Sequence, residues 1–458
     1  MTLCYDAGMG RRARCGLIIV VLLGAFGATG AARELEQRVW VHGPVDASIV
    51  TALRAGGITG AVVEVGRGAI GDGTAAFTLQ SFADMAPLAP MTISIAVDVT
   101  GKGDASGDAA AFWTQLQPAA KLLPSQGSLI LAARTLWPGL PRFATELAAA
   151  SHVRVEVMAP AEQLAKALPP EGWPGLGVVA VALGTPPAAG FPATTTDDDL
   201  AAIDALDALG IEYRVAVVVQ PLLRPAPGDD PVDLMPLASP SRAAFRRGDH
   251  SDFFELRGAL SWGGRMLSGG TRVEVEATNA ARYNRDLGFL LRPVREGLTG
   301  WDVVSLPPPA PAVGMSRQAF LGYLRGNGPY PTAQLQIRWL STGRLEVALR
   351  NPSPFSGTFA TTSNWVEVRF SGNEVLDAQL GDFAGLEYGV SGARGWRRVN
   401  AAREANAVRL HYTYLGPDAM ISGATLSFVS RLRSVQARWA VVPGDGTVVV
   451  SDWKSFSR

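Results

Sequence analysis

Eight short apolar runs recur between residues 38 and 306, each separated from the next by a stretch long enough for a helix. They fall at 38–42, 61–65, 92–99, 128–133, 153–158, 178–183, 213–219 and 303–306, and Val, Ile, Leu and Ala fill most of their positions. Near-continuous hydrophobicity over so few residues is what a strand covered on both faces of a parallel sheet requires. Helix signals lie between the runs. Asp46 is placed as an N-cap, Asp197-Asp198-Asp199 puts negative charge where a helix N-terminus favours it, and Gly210 is placed to end the helix over 199–209. Eight strands with helical crossovers in about 290 residues predict a (β/α)8 TIM-like barrel. A doubly wound open sheet is the rival, although it rarely needs eight parallel strands.

Residues 221–300 interrupt the rhythm with a Pro-rich stretch over 221–240 and two β-like segments, 254–256 and 272–276, around the Gly-rich turn Trp262-Gly263-Gly264. Long insertions of this kind sit over the C-terminal face of a barrel, so this one reads as a lid or as a solvent-facing elaboration. Past Gly326-Asn327-Gly328 the period changes to two: Leu335, Ile337 and Trp339 alternate with Gln334, Gln336 and Arg338. Leu345, Val347 and Leu349 repeat the pattern, followed by Val366, Val368 and Phe370 and by Val408, Leu410, Tyr412 and Tyr414. Half-buried antiparallel strands of this sort predict an all-β sandwich. The expected domains are thus a barrel over 33–328 with its insertion at about 221–300, and a sandwich over 329–458.

Residues 1–32 read as a signal peptide: Arg11, Arg12 and Arg14 precede an apolar run over 16–26 and a small-residue exit over 27–32. The run is too short for a membrane span of ~20 residues, and the other reading is a retained N-terminal anchor. Export predicts a periplasmic or secreted protein with no stable span after signal removal. Cys4 and Cys15 both lie in this segment, so the remainder has no cysteine for disulfides or thiol chemistry. The whole chain carries 41 basic and 41 acidic residues; without residues 1–32, 38 and 40 remain. That balance excludes a nucleic-acid binder, which needs a concentrated basic surface.

In a barrel, chemistry sits at the C-terminal strand ends. Read in order these are His42, Glu64, Asp98, Arg134, Glu156, Gln220 and Ser305. Glu64 and Asp98 each interrupt an otherwise apolar run, where partial desolvation suits a carboxyl to acid–base work. They are the candidate catalytic pair, facing one glycosidic bond, with Glu64 as acid/base and Asp98 as nucleophile or stabiliser. Arg134, His42 and Gln220 are candidate substrate contacts, joined by Trp262 and Trp301 because indole faces stack on sugar rings. The structural alternative is an ion-pair network at the barrel mouth. Glycosidase barrels most often carry their carboxylates after strands four and seven, where this chain has Arg134-Thr135 and Gln220-Pro221.

Other chemistries have weaker support. Gly66-Arg67-Gly68-Ala69-Ile70-Gly71 matches a dinucleotide-binding pattern, but a further Gly turn follows where the helix should start, and Asp98 lies too far on. No cofactor is expected. His42, His152, His250 and His411 are scattered, so no metal site is expected, although Asp249, His250 and Asp252 form a polar turn. G-x-S-x-G and the P-loop pattern are absent.

The segments 38–42, 60–65 and 301–308 resemble a family of exported bacterial proteins of unknown function that pairs a barrel-like domain with a C-terminal β-rich segment. The resemblance covers most of 37–328 and implies export and a barrel, with no catalytic residues. The reading that results is an exported, monomeric, glycoside-hydrolase-like protein that acts on or binds polysaccharide of the cell envelope. The alternative is a non-catalytic envelope binding or scaffolding protein.

Overall fold

The computed structural model describes residues 35–458 except 43–44, 81–85, 105–106, 122, 124–126, 185–195, 220–221, 225–231, 234–244, 248–252, 257, 263–264, 277, 310–313, 358–361, 372–373, 394, 444 and 446. The proposed signal segment over 1–32 lies outside the described residues. Eight parallel strands close on themselves: β1 (Glu36–Val41), β2 (Gly60–Gly71), β4 (Thr92–Gly101), β5 (Ser128–Ala133), β6 (Arg154–Pro160), β7 (Leu176–Gly184), β8 (Tyr213–Val218) and β16 (Leu298–Val304). Closure comes from β1, which pairs with β2 (Arg38 opposite Gly60) and with β16 (Glu36 opposite Gly300). The expected TIM-like barrel is the observed fold.

Seven helices cover the barrel among the described residues: α1 (Ala47–Ala55), α2 (Ala109–Ala120), α3 (Leu140–Ser151), α4 (Ala161–Ala167), α5 (Thr196–Ala208), α6 (Ala280–Leu291) and α7 (Arg317–Leu324). The Asp46 carboxylate accepts from the Ile49 amide and so caps α1 as the sequence predicts. Outward-facing Val39, Val63, Val97, Leu131, Val157, Val217 and Val303 pack against Leu53, Phe112, Phe143, Leu164, Leu206 and Tyr283 of the helices. The second crossover differs: β2 turns directly into an antiparallel strand, β3 (Thr74–Leu79). The two-residue turn is Asp72-Gly73, with Gly73 at φ 65°, the left-handed geometry that such hairpins need. The Gly66–Gly71 pattern therefore lies within a strand. Gly66 and Gly68 serve packing, since a Cβ would meet Phe77 at 2.7 Å or Phe112 at 2.9 Å.

The barrel interior is stratified. Trp40, Val62, Ala96, Ile130, Met158, Val179, Ala216, Val218 and Val304 form an apolar middle. Beneath it, toward the strand N-termini, lies a buried charged layer. Arg38 donates to both oxygens of Asp302, at 2.9 and 2.8 Å, and to Glu156 at 2.8 Å. Arg214 donates to Asp302 at 2.9 Å, to Glu36 at 2.7 Å and to the Glu36 and Trp301 carbonyls. Room for these side chains comes from Gly60, Gly177 and Gly300, where a Cβ would lie 2.8 Å or less from Arg38, Glu156 and Arg214. Glu156, read from the sequence as a mouth residue, belongs to this layer instead, because β6 extends to Pro160.

In the insertion, β9 (Leu222–Arg224), β10 (Val232–Asp233), β11 (Phe245–Arg247), β12 (Phe253–Leu256) and β15 (Arg272–Glu276) form one small antiparallel sheet. A separate two-stranded sheet in the insertion pairs β13 (Leu260–Trp262) with β14 (Arg265–Leu267). The C-terminal region contains two antiparallel sheets. One orders β17 (Gln334–Ser341), β18 (Arg344–Arg350), β24 (Met420–Phe428) and β20 (Val375–Gln379). The other orders β22 (Gly395–Val399), β21 (Gly385–Gly392), β23 (Ala407–His411), β19 (Trp365–Arg369), β25 (Ser434–Val441) and β26 (Val449–Val450), with β27 (Lys454–Ser457) also on β25. The period-two positions Leu335, Leu345, Val347, Val366, Val368, Val408 and Leu410 share one core. Phe355 of this region packs into the barrel's outer core, against Gly322 of α7.

Burial alone would push the Asp302 carboxyl up, but Arg38 and Arg214 outweigh it and hold it at about 2. A carboxyl depressed in the folded state stabilises above its unfolded value near 3.9 and loses that contribution as pH falls through about 2. Asp302→Asn is expected to cost ~3–5 kcal/mol in denaturant unfolding at neutral pH, because it removes the one carboxylate that two buried guanidiniums share. The difference from wild type should shrink as the pH is lowered below ~4.

Candidate functional site

Strand alternation delivers side chains to the mouth. Arg38, Trp40 and the residue after β1, His42, face inward, as do Val62 and Glu64 on β2, Ala96 and Asp98 on β4, and Ile130 on β5, which Arg134 follows. These strands are neighbours in the order β1, β2, β4, β5, so His42, Glu64, Asp98 and Arg134 line one arc of the rim. Nδ1 of His42 lies 3.5 Å from a Glu64 oxygen. Nη2 of Arg134 donates to Asp98 at 3.1 Å.

A fifth residue joins them through a bulge. Glu64 stands opposite Ala96, but the next register pair is Gly66 with Val97, which makes Val65 the extra residue. The parity of β2 reverses there, and Arg67 comes opposite Asp98 on the inner face. Its Nε lies 3.9 Å from Asp98, and the side chain is 65% exposed against 16% for Asp98. Without the bulge, positions 64 and 67 would face opposite sides of the strand. Arg67 was hidden in the sequence inside a glycine pattern, and no local signal marks the bulge.

The two carboxyls differ in surroundings. Burial and then the neighbouring Asp98 charge push the Glu64 carboxyl above its ordinary value, while Arg67 and Arg134 oppose this less strongly. Asp98 is braced by two guanidiniums. The pair thus juxtaposes a carboxyl whose proton affinity is raised with one that faces two guanidiniums, the kind of asymmetry found in acid–base sites. Trp40 lies below them, with its ring 6.3 Å from that of His42 and buried in the apolar middle of the barrel. Its Nε1 has no hydrogen-bond partner among the described residues.

The other sequence-predicted contacts are elsewhere or undescribed. Trp301 points outward from β16 into the layer between strands and helices, with Val303 and Tyr283, and does not reach the mouth. The strand begins at Leu298, five residues earlier than its apolar pattern implies, which sets this parity. Ser305 is buried. Gln220 lies outside the described residues, as do Asp249, His250 and Asp252. Trp262 ends β13, and its side chain is likewise outside them. Among the described residues, no group of three or more His, Cys, Asp or Glu side chains is arranged to hold a metal. No helix among them is long and apolar enough to cross a membrane.

Comparison with known proteins finds no matching family model and no matching curated protein. The structure itself shows a parallel barrel followed by antiparallel sheets, and no family is assigned.

A carboxyl whose folded-state value is raised holds its proton more tightly in the folded protein than in the unfolded one. Its favourable contribution is complete below the unfolded value and is lost as pH rises through the folded one. Glu64→Gln should accordingly be more thermostable than wild type at neutral pH, with the gap in Tm widening as pH rises above about 4 toward neutrality. A gap that stays constant over that range would show that Glu64 ionises normally.

Proposed function

We propose that the protein is an exported glycoside-hydrolase-like barrel that acts on polysaccharide of the cell envelope. The observation that carries this reading is the partly buried Glu64 carboxyl beside Asp98 at the C-terminal mouth, its proton affinity raised by burial and by the Asp98 charge, with Arg134 and Arg67 on Asp98. Glu64 protonates the glycosidic oxygen as the C–O bond breaks, Asp98 meets the positive charge that develops at the anomeric carbon, and water then adds to that carbon and returns a proton to Glu64. Arg134 and Arg67 hold the Asp98 carboxylate in place, and His42 orients Glu64. Trp262 remains the candidate for stacking on a sugar ring. Export rests on the basic and apolar order of residues 1–32, and a monomer is the working assembly.

One observation favours the second reading, a non-catalytic binding module: both carboxyls already have protein partners, Arg134 and Arg67 for Asp98 and His42 for Glu64. A polysaccharide panel assayed with wild type, Glu64→Gln and Asp98→Asn separates the two. Hydrolysis requires wild-type turnover that falls ~10²–10⁴-fold in Glu64→Gln. It also requires activity to decline as pH rises through the raised Glu64 value, because the acid must carry its proton. Turnover indifferent to both substitutions removes the pair from the mechanism, and binding without turnover on every substrate establishes the module.

A further inference from the structure

The outer face of the larger C-terminal sheet carries a built layer of side chains remote in kind from the barrel mouth. Val366 and Val368 point into the core, so Trp365, Glu367 and Arg369 of β19 point out. Register places Arg409 and Arg438 on either side of Glu367, with Glu387 beyond Arg409, a row of alternating sign across four strands. Glu367 is fully buried beneath this layer; one oxygen accepts from Arg409 and Arg438 at 3.0 Å each, and Oε1 has no hydrogen-bond partner among the described residues.

Three indoles interleave with three guanidiniums. Arg409 lies between Trp365 and Trp396, 4.1 and 4.3 Å from the ring centroids. Arg438 lies between Trp365 and Trp453, at 5.5 and 4.4 Å, and Arg369 stacks on Trp453 at 4.5 Å. Gly389 makes room for this stack, since a Cβ there would lie 2.4 Å from the Trp396 ring. Trp396 and Trp453, at the two ends, are half-buried and still present surface to solvent. Four guanidiniums (Arg369, Arg398, Arg409, Arg438) share the layer with two carboxylates (Glu367, Glu387), an excess of two positive charges.

Arg409 and Arg438 donate to Glu367 and Arg369 to Gln436, so the stacked guanidiniums supply positive charge, exposed Arg398 offers N–H groups to an oxyanion, and the half-exposed indoles offer flat apolar surface. Both demands are met by a chain of pyranose rings bearing carboxylates. We infer that this face binds an acidic, uronate-rich polysaccharide. The site is independent of the mouth residues, and its binding does not depend on hydrolysis.

Binding of the full chain to polygalacturonate, to neutral dextran and to polyglutamate tests this. Wild type is expected to bind polygalacturonate, more weakly as salt rises, and to prefer it over both controls. Trp396→Ala with Trp453→Ala should weaken binding about tenfold at unchanged folding, as the loss of exposed stacking and cation–π contacts implies. Exposed Arg398→Glu tests the charge without touching the stack and decides the matter if the double variant does not fold. Glu64→Gln should bind as wild type does, whatever its turnover. No binding to polygalacturonate, equal binding to dextran or to polyglutamate, or full affinity in Arg398→Glu would overturn the inference.

Discussion

Asp302, buried between Arg38 and Arg214, is the interaction on which the barrel depends. It joins β1, β8 and β16, three adjacent strands of the barrel, through a single carboxylate. Removing ions from water costs several kcal/mol each, so the arrangement survives only because every charge is matched by geometry: a fork on Asp302, a second carboxylate on Arg38, and backbone carbonyls on Arg214. Three glycines give up their side chains to admit it. The layer fills the lower barrel with polar groups that have one compatible partner set, and thus sets the register on which everything above rests.

The mouth inherits that register. Once Arg38 faces inward, so do Trp40 and His42; once Gly60 faces inward, so do Val62 and Glu64. The bulge at Val65 then changes the rule locally, which places Arg67 beside Asp98 while β2 continues into its hairpin with β3. Glu64 and Arg67 of β2, Asp98 of β4, and His42 and Arg134, which directly follow β1 and β5, thereby meet at the mouth.

Much of the architecture was legible because burial on both faces leaves a continuous apolar run. The run at 128–133 coincides with β5, and period two located the C-terminal sheets. Glu64, Asp98, His42 and Arg134 were legible as interruptions or ends of such runs. The failures share one physical cause, which is that charge and glycine inside a barrel look like loop. Gly300, Trp301 and Asp302 concealed the start of β16 and so the parity of Trp301. Gly66-Arg67-Gly68 imitated a phosphate loop because glycines were needed for aromatic packing. The stack on the C-terminal sheet was invisible for another reason: its six members come from four strands and from Trp453 just before β27, which only the folded register aligns.

The separation of Arg38 from Asp302 by 264 residues has a consequence for how the protein comes into being. The strand that closes the barrel is the first to be synthesised among the eight, and its final partner is the last. Loop closure over such a distance is entropically slow, and contacts of this range dominate the folding time of parallel folds. Until residue 302 is available, β1 carries an unpaired edge and an arginine destined for the interior. The nascent chain is thus held from its native state by its own topology until its last barrel strand is made.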